Sequence, residues 1–570
     1  MLETAKPEDI SKNRVLIVGA GPVGLMSAIL LARQGIASVV IERRAERSTA
    51  PKAHALNPRS LEICRAAKMD LEKIYARQTP RDEGKTVRFV SRLNGVELGY
   101  LPYERQDEGV RSLTPTPLIN IAQPDFEAVL LDAALQIPLI EIRYGHEWVN
   151  SEQDGQGVTS TIKQSGMAEY REVHSYVIAC DGAGSRVRAK LDIAMEGAAG
   201  FVNTVNIHFQ ADLRSLVGDR PAILYWILDP AVAGTFIVYN LSSSIVLAHR
   251  YDPEEVSSAS FTVERCRELV SGAIGDNSIE INILGANSWV MTAQVACRYR
   301  DGRIFLAGDA AHRFPPTGGL GLNTGIGDAH NLAWKMGAVW NDYATSGLLD
   351  SYEAERRPVA MVNSNQSFVN ADRLIELFDL VGIHPDRAEE QPFAERLTDP
   401  GFREAVHRCV QDQREHFDSL ALQLGYIYGE PGNVPSDVSA YTPVFRRGAR
   451  MPHAWVSRSG KQISTLDLLS DTAFTLIVAN TDREWTAAAS ALDLPVSIHR
   501  LGVDFTDEEG TWSVQSGVAQ GGALFLRPDG HIALQADNAE AAQERLNEAA
   551  AYFSGDSDAN TRQKADGNGW

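Results

Sequence analysis

Two hydrophobic rhythms divide this chain. Arg14-Val-Leu-Ile-Val18 and Ala37-Ser-Val-Val-Ile41 are short apolar runs of the kind found in parallel strands covered on both faces. Between them a glycine-rich turn leads into a helical stretch from Leu25 to Gln34, so the first unit reads strand, turn, helix, strand. Further helices are predicted at Pro58 to Lys68 and Pro124 to Leu135. From about Val87 to Arg111, and again from Asn203 to Val295, the rhythm shortens to alternation, as in Ala222-Ile-Leu-Tyr-Trp-Ile-Leu228 and Thr235-Phe-Ile-Val-Tyr239. These segments predict a mostly antiparallel sheet inserted into the first unit. The α/β rhythm returns at Arg303-Ile-Phe-Leu-Ala307, followed by a long helix from roughly Gly325 to Trp340.

A connection rich in Pro, Gly and Ser, including EPGNVPSD, lies between about Leu424 and Met451 and marks the best domain boundary. Beyond it, strands are predicted at Thr475–Val478, Val496–His499, Ala523–Leu526 and Ile532–Leu534, then a helix from about Ala539 to Phe553. The last residues, 554–570, read as a disordered tail.

Composition narrows the function. The 570 residues are 44% hydrophobic, which suits ordinary buried cores, and the net charge of −20 repels nucleic acid and anionic membrane surfaces. Neither is expected as a partner. Five scattered cysteines form no CxxC pair and no cluster with histidine, so no metal site is expected and a reducing, cytoplasmic setting fits best. No secretory signal pattern is visible at the start. The uncharged run Val15 to Ala32 reaches the lower length limit of a membrane span, but Gly19, Gly21, Pro22 and Gly24 break it.

Three motifs carry chemistry. Gly19-Ala-Gly21-Pro-Val-Gly24 joins a strand to a helix, and Glu42 ends the next strand. The first glycine permits a tight turn, the second lets backbone approach a pyrophosphate, and the third lets helix and strand pack closely. Glu42 can accept bonds from ribose hydroxyls. Far downstream, Gly308-Asp309 follows a strand, and Pro315-Pro316-Thr-Gly-Gly-Leu-Gly321-Leu322-Asn323 feeds a second helix whose N-terminus favours negative charge. Between them stands Asp181-Gly-Ala-Gly184-Ser185-Arg186 after the strand Tyr176–Ala179.

In this order and spacing, the three motifs resemble the flavin-dependent aromatic hydroxylases of the p-hydroxybenzoate hydroxylase-like fold, over roughly Val15 to Val359. The resemblance implies an α/β, Rossmann-like FAD-binding domain of the glutathione reductase type (1–86, 112–202 and 296–425). It also implies an inserted substrate-binding sheet (87–111 and 203–295), a linker (426–450) and an appended α/β unit (451–553). That unit resembles the thioredoxin-like domain of the phenol hydroxylase branch. No cysteine follows Cys409, which excludes disulfide chemistry there.

Residue by residue, the family implies that Gly19, Gly21, Gly24, Glu42 and Arg43 hold the ADP half of FAD and Asp309 its ribityl chain, with Gln123 and Asp181 close to the cofactor. Gly321, Leu322 and Asn323 would direct N–H groups at the flavin ring, and Pro315 and Pro316 would wall its reacting edge. Lys52 stands where many relatives have an arginine contacting pyrophosphate, which keeps the charge and loses the fork.

His54, in Lys52-Ala-His54-Ala-Leu-Asn-Pro-Arg59, falls where phenol hydroxylases carry an acid near the substrate hydroxyl and some chlorophenol hydroxylases carry histidine. As a base it would raise phenolate character; the alternative is a histidine that only bonds the backbone of its loop. Tyr225 and Tyr239, on the inserted sheet, are candidate substrate contacts or simply core.

The implied activity is hydroxylation of a phenolic small molecule by NADPH or NADH and O2 through a flavin C4a-hydroperoxide, in a possible homodimer. Baeyer–Villiger oxidation, epoxidation and oxidative decarboxylation remain open on the same fold. So does a non-catalytic flavin-binding role.

Overall fold

A computed structural model describes residues 13–554 except 384–391, 431–434, 436 and 481. Almost all of the expected tail lies outside the described residues.

Six strands form the first sheet, in the order Arg300–Asp301, Ile304–Leu306, Tyr176–Ala179, Arg14–Val18, Ala37–Glu42 and Ile140–Tyr144. All its pairings are parallel except that of the Arg300–Asp301 edge. The central run Val15, Leu16 and Ile17 is wholly buried because helices or further strands cover both faces. Helix Pro22–Arg33 starts with Pro at its first turn, where the missing N–H costs nothing, and is followed by Gly35 at φ 77°. It packs on helix Leu320–Trp340, which begins five residues earlier than its sequence pattern suggested. Gly321, Asn323 and Thr324 hide that first turn from a periodicity search. A three-stranded meander, His146–Gln153, Val158–Gln164 and Glu169–His174, was not resolved by hydrophobic pattern. It seals the sheet with Trp148, Val158 and Ile162.

The second sheet has eight strands, ordered His312–Arg313, Asn282–Ala296, Met195–Gln210, Ser244–Tyr251, Gly234–Asn240, Leu224–Ile227, Thr86–Val90 and Glu97–Pro102. Only the pairing of Leu224–Ile227 with Thr86–Val90 is parallel. Strand Met195–Gln210 starts before the alternation that predicts it at Asn203. Its early part carries Gly197 and Gly200 at positive φ and a register shift between Ala198 and Val202, which interrupts the pattern. One face of this sheet buries Phe209, Phe236 and Ile245 beneath helix Val263–Ile274. The other face looks back toward the first sheet. The 31-residue helix Ser351–Val381 runs along both units.

A third sheet, Val496–Leu501, Phe474–Ala479, Ala523–Leu526 and Ile532–Ala536, has one parallel and two antiparallel pairings. It docks through buried charge. Arg527 forks onto Glu355 at 2.7 and 2.8 Å and also pairs with Asp529, whose Oδ2 accepts from Trp334 Nε1 at 3.0 Å. Lys335 Nζ reaches Glu355 at 2.8 Å, and Arg450 pairs with Glu62. The predicted linker does more than span: Tyr428 stacks on His531 at 4.2 Å between ring centroids, and Arg450 is buried.

Arg527→Ala would leave two carboxylates buried beside a single lysine. It is expected to destabilise the fold by about 3–5 kcal/mol, read from chemical denaturation. A loss below about 1 kcal/mol would mean that water reaches Glu355 and Asp529 freely.

Candidate active site

The carboxyl ends of Arg14–Val18, Tyr176–Ala179 and Ile304–Leu306 open on one side, where strand order reverses about Arg14–Val18 and a crevice forms. That crevice continues into the space under the second sheet as one cavity of about 1010 Å³.

At its first end the three glycines of the turn divide their work. A Cβ on Gly19, at φ 109°, would sit 2.4 Å from the carbonyl oxygen of Cys180, and one on Gly24 would sit 2.0 Å from that of Gly19. Both glycines are therefore packing requirements. A Cβ on Gly21 would meet nothing within 4 Å and would project into open space at the cavity wall. Glu42 accepts from the N–H of Ala20 and of Arg44, at 3.3 and 3.0 Å, and stays on the wall with Arg43 and Lys52. Gln123 Nε2 donates to Glu127 at 2.7 Å, and its Oε1 accepts from Ala53 N at 3.3 Å.

Asp181 caps the next helix by accepting from the N–H of Arg186 and Val187 through Oδ2, while its buried Oδ1 has no protein partner. Arg188 donates to the carbonyls of Ala310 and Ala183, tying the second motif to the third. Asp309 stands on the cavity wall, and the protein around it raises its carboxyl pKa against the pull of His312, Lys52 and Arg313.

Helix Leu320–Trp340 points its N-terminus at the same space, with Gly321 and Leu322 on the wall. First-turn N–H groups lack intrahelical partners and favour negative charge. A Cβ on Gly321 would find its nearest neighbour 3.9 Å away, at Phe314. Room at Gly21 and Gly321, the orphan oxygen of Asp181 and the helix N-terminal N–H groups fit FAD, whose phosphates the first turn would hold, whose polyol Asp309 would meet and whose ring the second helix would face.

The side chain of Asn323, whose backbone N–H belongs to the first turn of the same helix, accepts from Asn57 N and Ser60 Oγ at 3.0 and 2.7 Å and donates to the carbonyls of Ala55 and Gly319. It pins the His54 loop to the helix.

The far end of the cavity is built by the inner face of the second sheet, with Leu224, Trp226, Ile237 and Arg250, and by Leu374 and Phe378 of helix Ser351–Val381. Phe314, Pro315 and Pro316 also line the cavity. His54 lines the wall and pairs through Nδ1 with Asn120 Oδ1 at 3.1 Å. Asn120 Nδ2 donates to Gly84 O at 2.9 Å, which turns its oxygen toward His54. The neighbouring backbone pairing Ala55↔Asn120 sets the two side by side. His54 Nδ1 must therefore carry the proton, and Nε2 keeps a lone pair. Burial lowers the His54 pKa below its ordinary value, partly offset by the Asn120 bond, so the ring is neutral at pH 7.

Neither tyrosine reaches the cavity. Tyr225 turns its ring to the opposite face of the sheet, where its hydroxyl donates to Arg220 O at 2.8 Å. Tyr239 is spent on the loop, donating to Lys52 O at 3.0 Å.

Residues 12–367 match the FAD binding domain family, and residues 445–556 match the family described as aromatic-ring hydroxylase, C-terminal. The chain belongs to the FAD-binding aromatic-ring hydroxylases. This hydroxylase is 31% identical to 2,4-dichlorophenol 6-monooxygenase of Cupriavidus pinatubonensis, over 92% of this chain and 93% of that protein. It is 33% identical to 4-methyl-5-nitrocatechol 5-monooxygenase of a Burkholderia species, over 93% and 95%. Among solved structures, the flavin-dependent monooxygenase PieE in complex with FAD and substrate superposes with a TM-score of 0.89 at 31% identity, covering 95% of this chain and 99% of PieE. The hydroxylase is an enzyme that uses FAD on aromatic substrates.

Sequence reasoning missed several of its wall residues. Ala371, Leu374, Ile375 and Phe378 follow a helical stripe that could have been found by spacing. His416, also on the wall, carried no such signal, and neither did Asn120 and Tyr103, which are buried behind His54. Tyr103 packs on His54 at 5.5 Å between centroids. His416 stacks on Phe417 at 4.1 Å, and burial lowers its pKa to about 3.

Proposed function

We propose that this hydroxylase oxygenates a phenolic ring with NADPH or NADH as reductant and O2 as oxidant, and that His54 is its general base. One observation carries the proposal: the Gly84–Asn120–His54 chain of hydrogen bonds leaves a basic Nε2 on the cavity wall. When bound, FAD supplies the two-electron reduction and the activation of oxygen. His54 accepts the phenol proton at Nε2, and phenolate character then makes the ring nucleophilic toward electrophilic oxygen. Phe314, Pro315 and Pro316 exclude water from the junction between flavin and substrate ends. The first turn of helix Leu320–Trp340 would stabilise negative charge developing on a ring bound at its N-terminus.

The C-terminal unit supports a thioredoxin-like assignment. Its elements run strand, helix, strand, helix, strand, strand, helix, and its sheet is ordered second, first, third, fourth. Its charged dock on Glu355 and Glu62 supports a structural role.

A panel of phenols tests the proposal. Some should stimulate NAD(P)H oxidation and yield products heavier by one oxygen atom, labelled from 18O2. An FAD-loaded protein that no phenol stimulates would sink it, as would incorporation into an ester in place of a ring hydroxyl.

A further inference from the structure

One residue of the appended unit touches both helices that carry the active-site groups. Asp529 sits in the hairpin turn between strands Ala523–Leu526 and Ile532–Ala536, where Gly530 takes φ 79°. Its carbonyl oxygen accepts from Arg59 Nη2 at 2.7 Å, on helix Pro58–Ala66, which follows the His54 loop. Its carboxylate accepts from Trp334 Nε1 at 3.0 Å, on helix Leu320–Trp340, whose N-terminus faces the cavity. Arg527 Nε and the His531 N–H hold the other carboxylate oxygen at 3.0 and 3.4 Å. Against the cost of burial, Arg527 and the nearby His531 and His330 keep this carboxyl well below the usual carboxylate range, so it stays ionised.

The same two helices meet again at the cavity, where Asn323 accepts from Asn57 and Ser60. Two separated ties fix the direction of one rod against another, and a single tie leaves a pivot. His54 stands three residues before Asn57, roughly 10 Å along an extended chain. A pivot of about 6° at Asn57 would carry His54 by about 1 Å, a misplacement that can cost about 100-fold in rate. It would also strain the Ala55↔Asn120 pairing that sets the imidazole beside its partner. Arg59, Trp334 and Asp529 are all buried in the dock and do not line the cavity, so any effect they have on the reaction passes through the helices.

We propose that Asp529 is a positioning residue for ring hydroxylation: by holding Arg59 and Trp334 together, it sets where His54 stands relative to the N-terminus of helix Leu320–Trp340. The appended unit is then part of the active-site scaffold as well as a docked domain. The inference rests on the role of His54 above and goes beyond it.

Two substitutions cut the link from opposite sides and leave Asp529 in place. Trp334→Phe deletes one N–H and keeps an aromatic ring beneath Arg527. Arg59→Met removes the guanidinium, with Arg450 still paired to Glu62. Each should slow hydroxylation of a phenol about 10- to 100-fold, with flavin reduction and FAD content close to wild type. Arg59→Lys can still donate to the Asp529 carbonyl and should recover most of that loss. On a His54→Ala background Trp334→Phe should cost less than about twofold, because effects that act through one group do not add. A further readout needs no turnover. Hydrogen exchange of the peptide spanning residues 54–60 should speed about 10-fold in Trp334→Phe, although the change lies on the other helix.

Unchanged exchange at residues 54–60 in a Trp334→Phe protein of near wild-type melting temperature would overturn the proposal. Wild-type hydroxylation in that protein, equal slowing of reduction and hydroxylation, or full additivity with His54→Ala would do the same. Should Arg59→Met not fold, Trp334→Phe decides alone. The two proposals fail separately. If His54→Ala couples like wild type, the base assignment falls, and exchange still reports whether Asp529 joins the two helices. If His54→Ala uncouples while Trp334→Phe neither uncouples nor loosens the loop, only the positioning role falls.

Discussion

His54→Ala is expected to lower the rate of ring hydroxylation by about 100- to 10,000-fold, the usual span for loss of a general base, with little change in flavin reduction. Reduction needs the cofactor cradle, and His54 touches none of its motifs; its bonds run to Asn120 and to the backbone of Ile121. NAD(P)H would still be consumed, but its two electrons would reduce O2 to hydrogen peroxide without oxygenating the ring. The ratio of hydroxylated product to NAD(P)H, measured beside the reduction rate in stopped flow, separates these effects. Raising the pH should partly restore coupling in the variant, because more phenol ionises unaided. Wild type should show the opposite trait. Burial holds the His54 pKa below 6.5, so its base is neutral and available across pH 7–8, and coupling should be flat there. A His54→Ala variant with unchanged coupling at pH 7 would make the histidine structural, and the base would then be sought in ordered water.

Gly21→Val is expected to yield a folded, colourless protein. The backbone at Gly21, φ −74° and ψ −178°, suits any residue, and a Cβ there meets no protein atom within 4 Å. The added side chain would occupy the pyrophosphate's approach and nothing else. Gly24→Val is the contrasting control. Its Cβ would fall 2.0 Å from a backbone oxygen, so helix Pro22–Arg33 must lift off the sheet and the fold itself should fail. Flavin-to-protein absorbance ratios and melting curves of both variants check the pair. Full FAD occupancy in Gly21→Val would show that phosphate does not pass over this turn.

The two halves of the cavity differ in how far sequence alone could describe them, and the difference has a physical origin. An anion cradle is local: a strand, a turn that tolerates no Cβ and the N-terminus of the next helix must be contiguous. Gly19–Gly24, Asp181 and Gly308–Leu322 therefore announce themselves in order, and the structure brings all three motifs to one crevice. Within that half, the side chain of Asn323 serves the structure by tying the His54 loop to the helix.

The substrate half is assembled from at least four separated segments, and hydrophobic alternation could not tell its two faces apart. Tyr225 and Trp226 are neighbours in one strand, yet Tyr225 enters the core under helix Val263–Ile274 and Trp226 faces the cavity. Both faces of that strand are covered and apolar, so the period of two appears without a polar side to set its phase. Sequence alone determined the cofactor, the order of the motifs and a histidine in a telling place. Only the tertiary structure decided that Asn120 orients His54, that Tyr225 and Tyr239 are spent elsewhere, and that Arg250 stands on the wall without an ion pair among the described residues. Those outcomes depend on pairings such as Ala55↔Asn120 and Thr204↔Arg250, contacts between distant residues that no local pattern encodes.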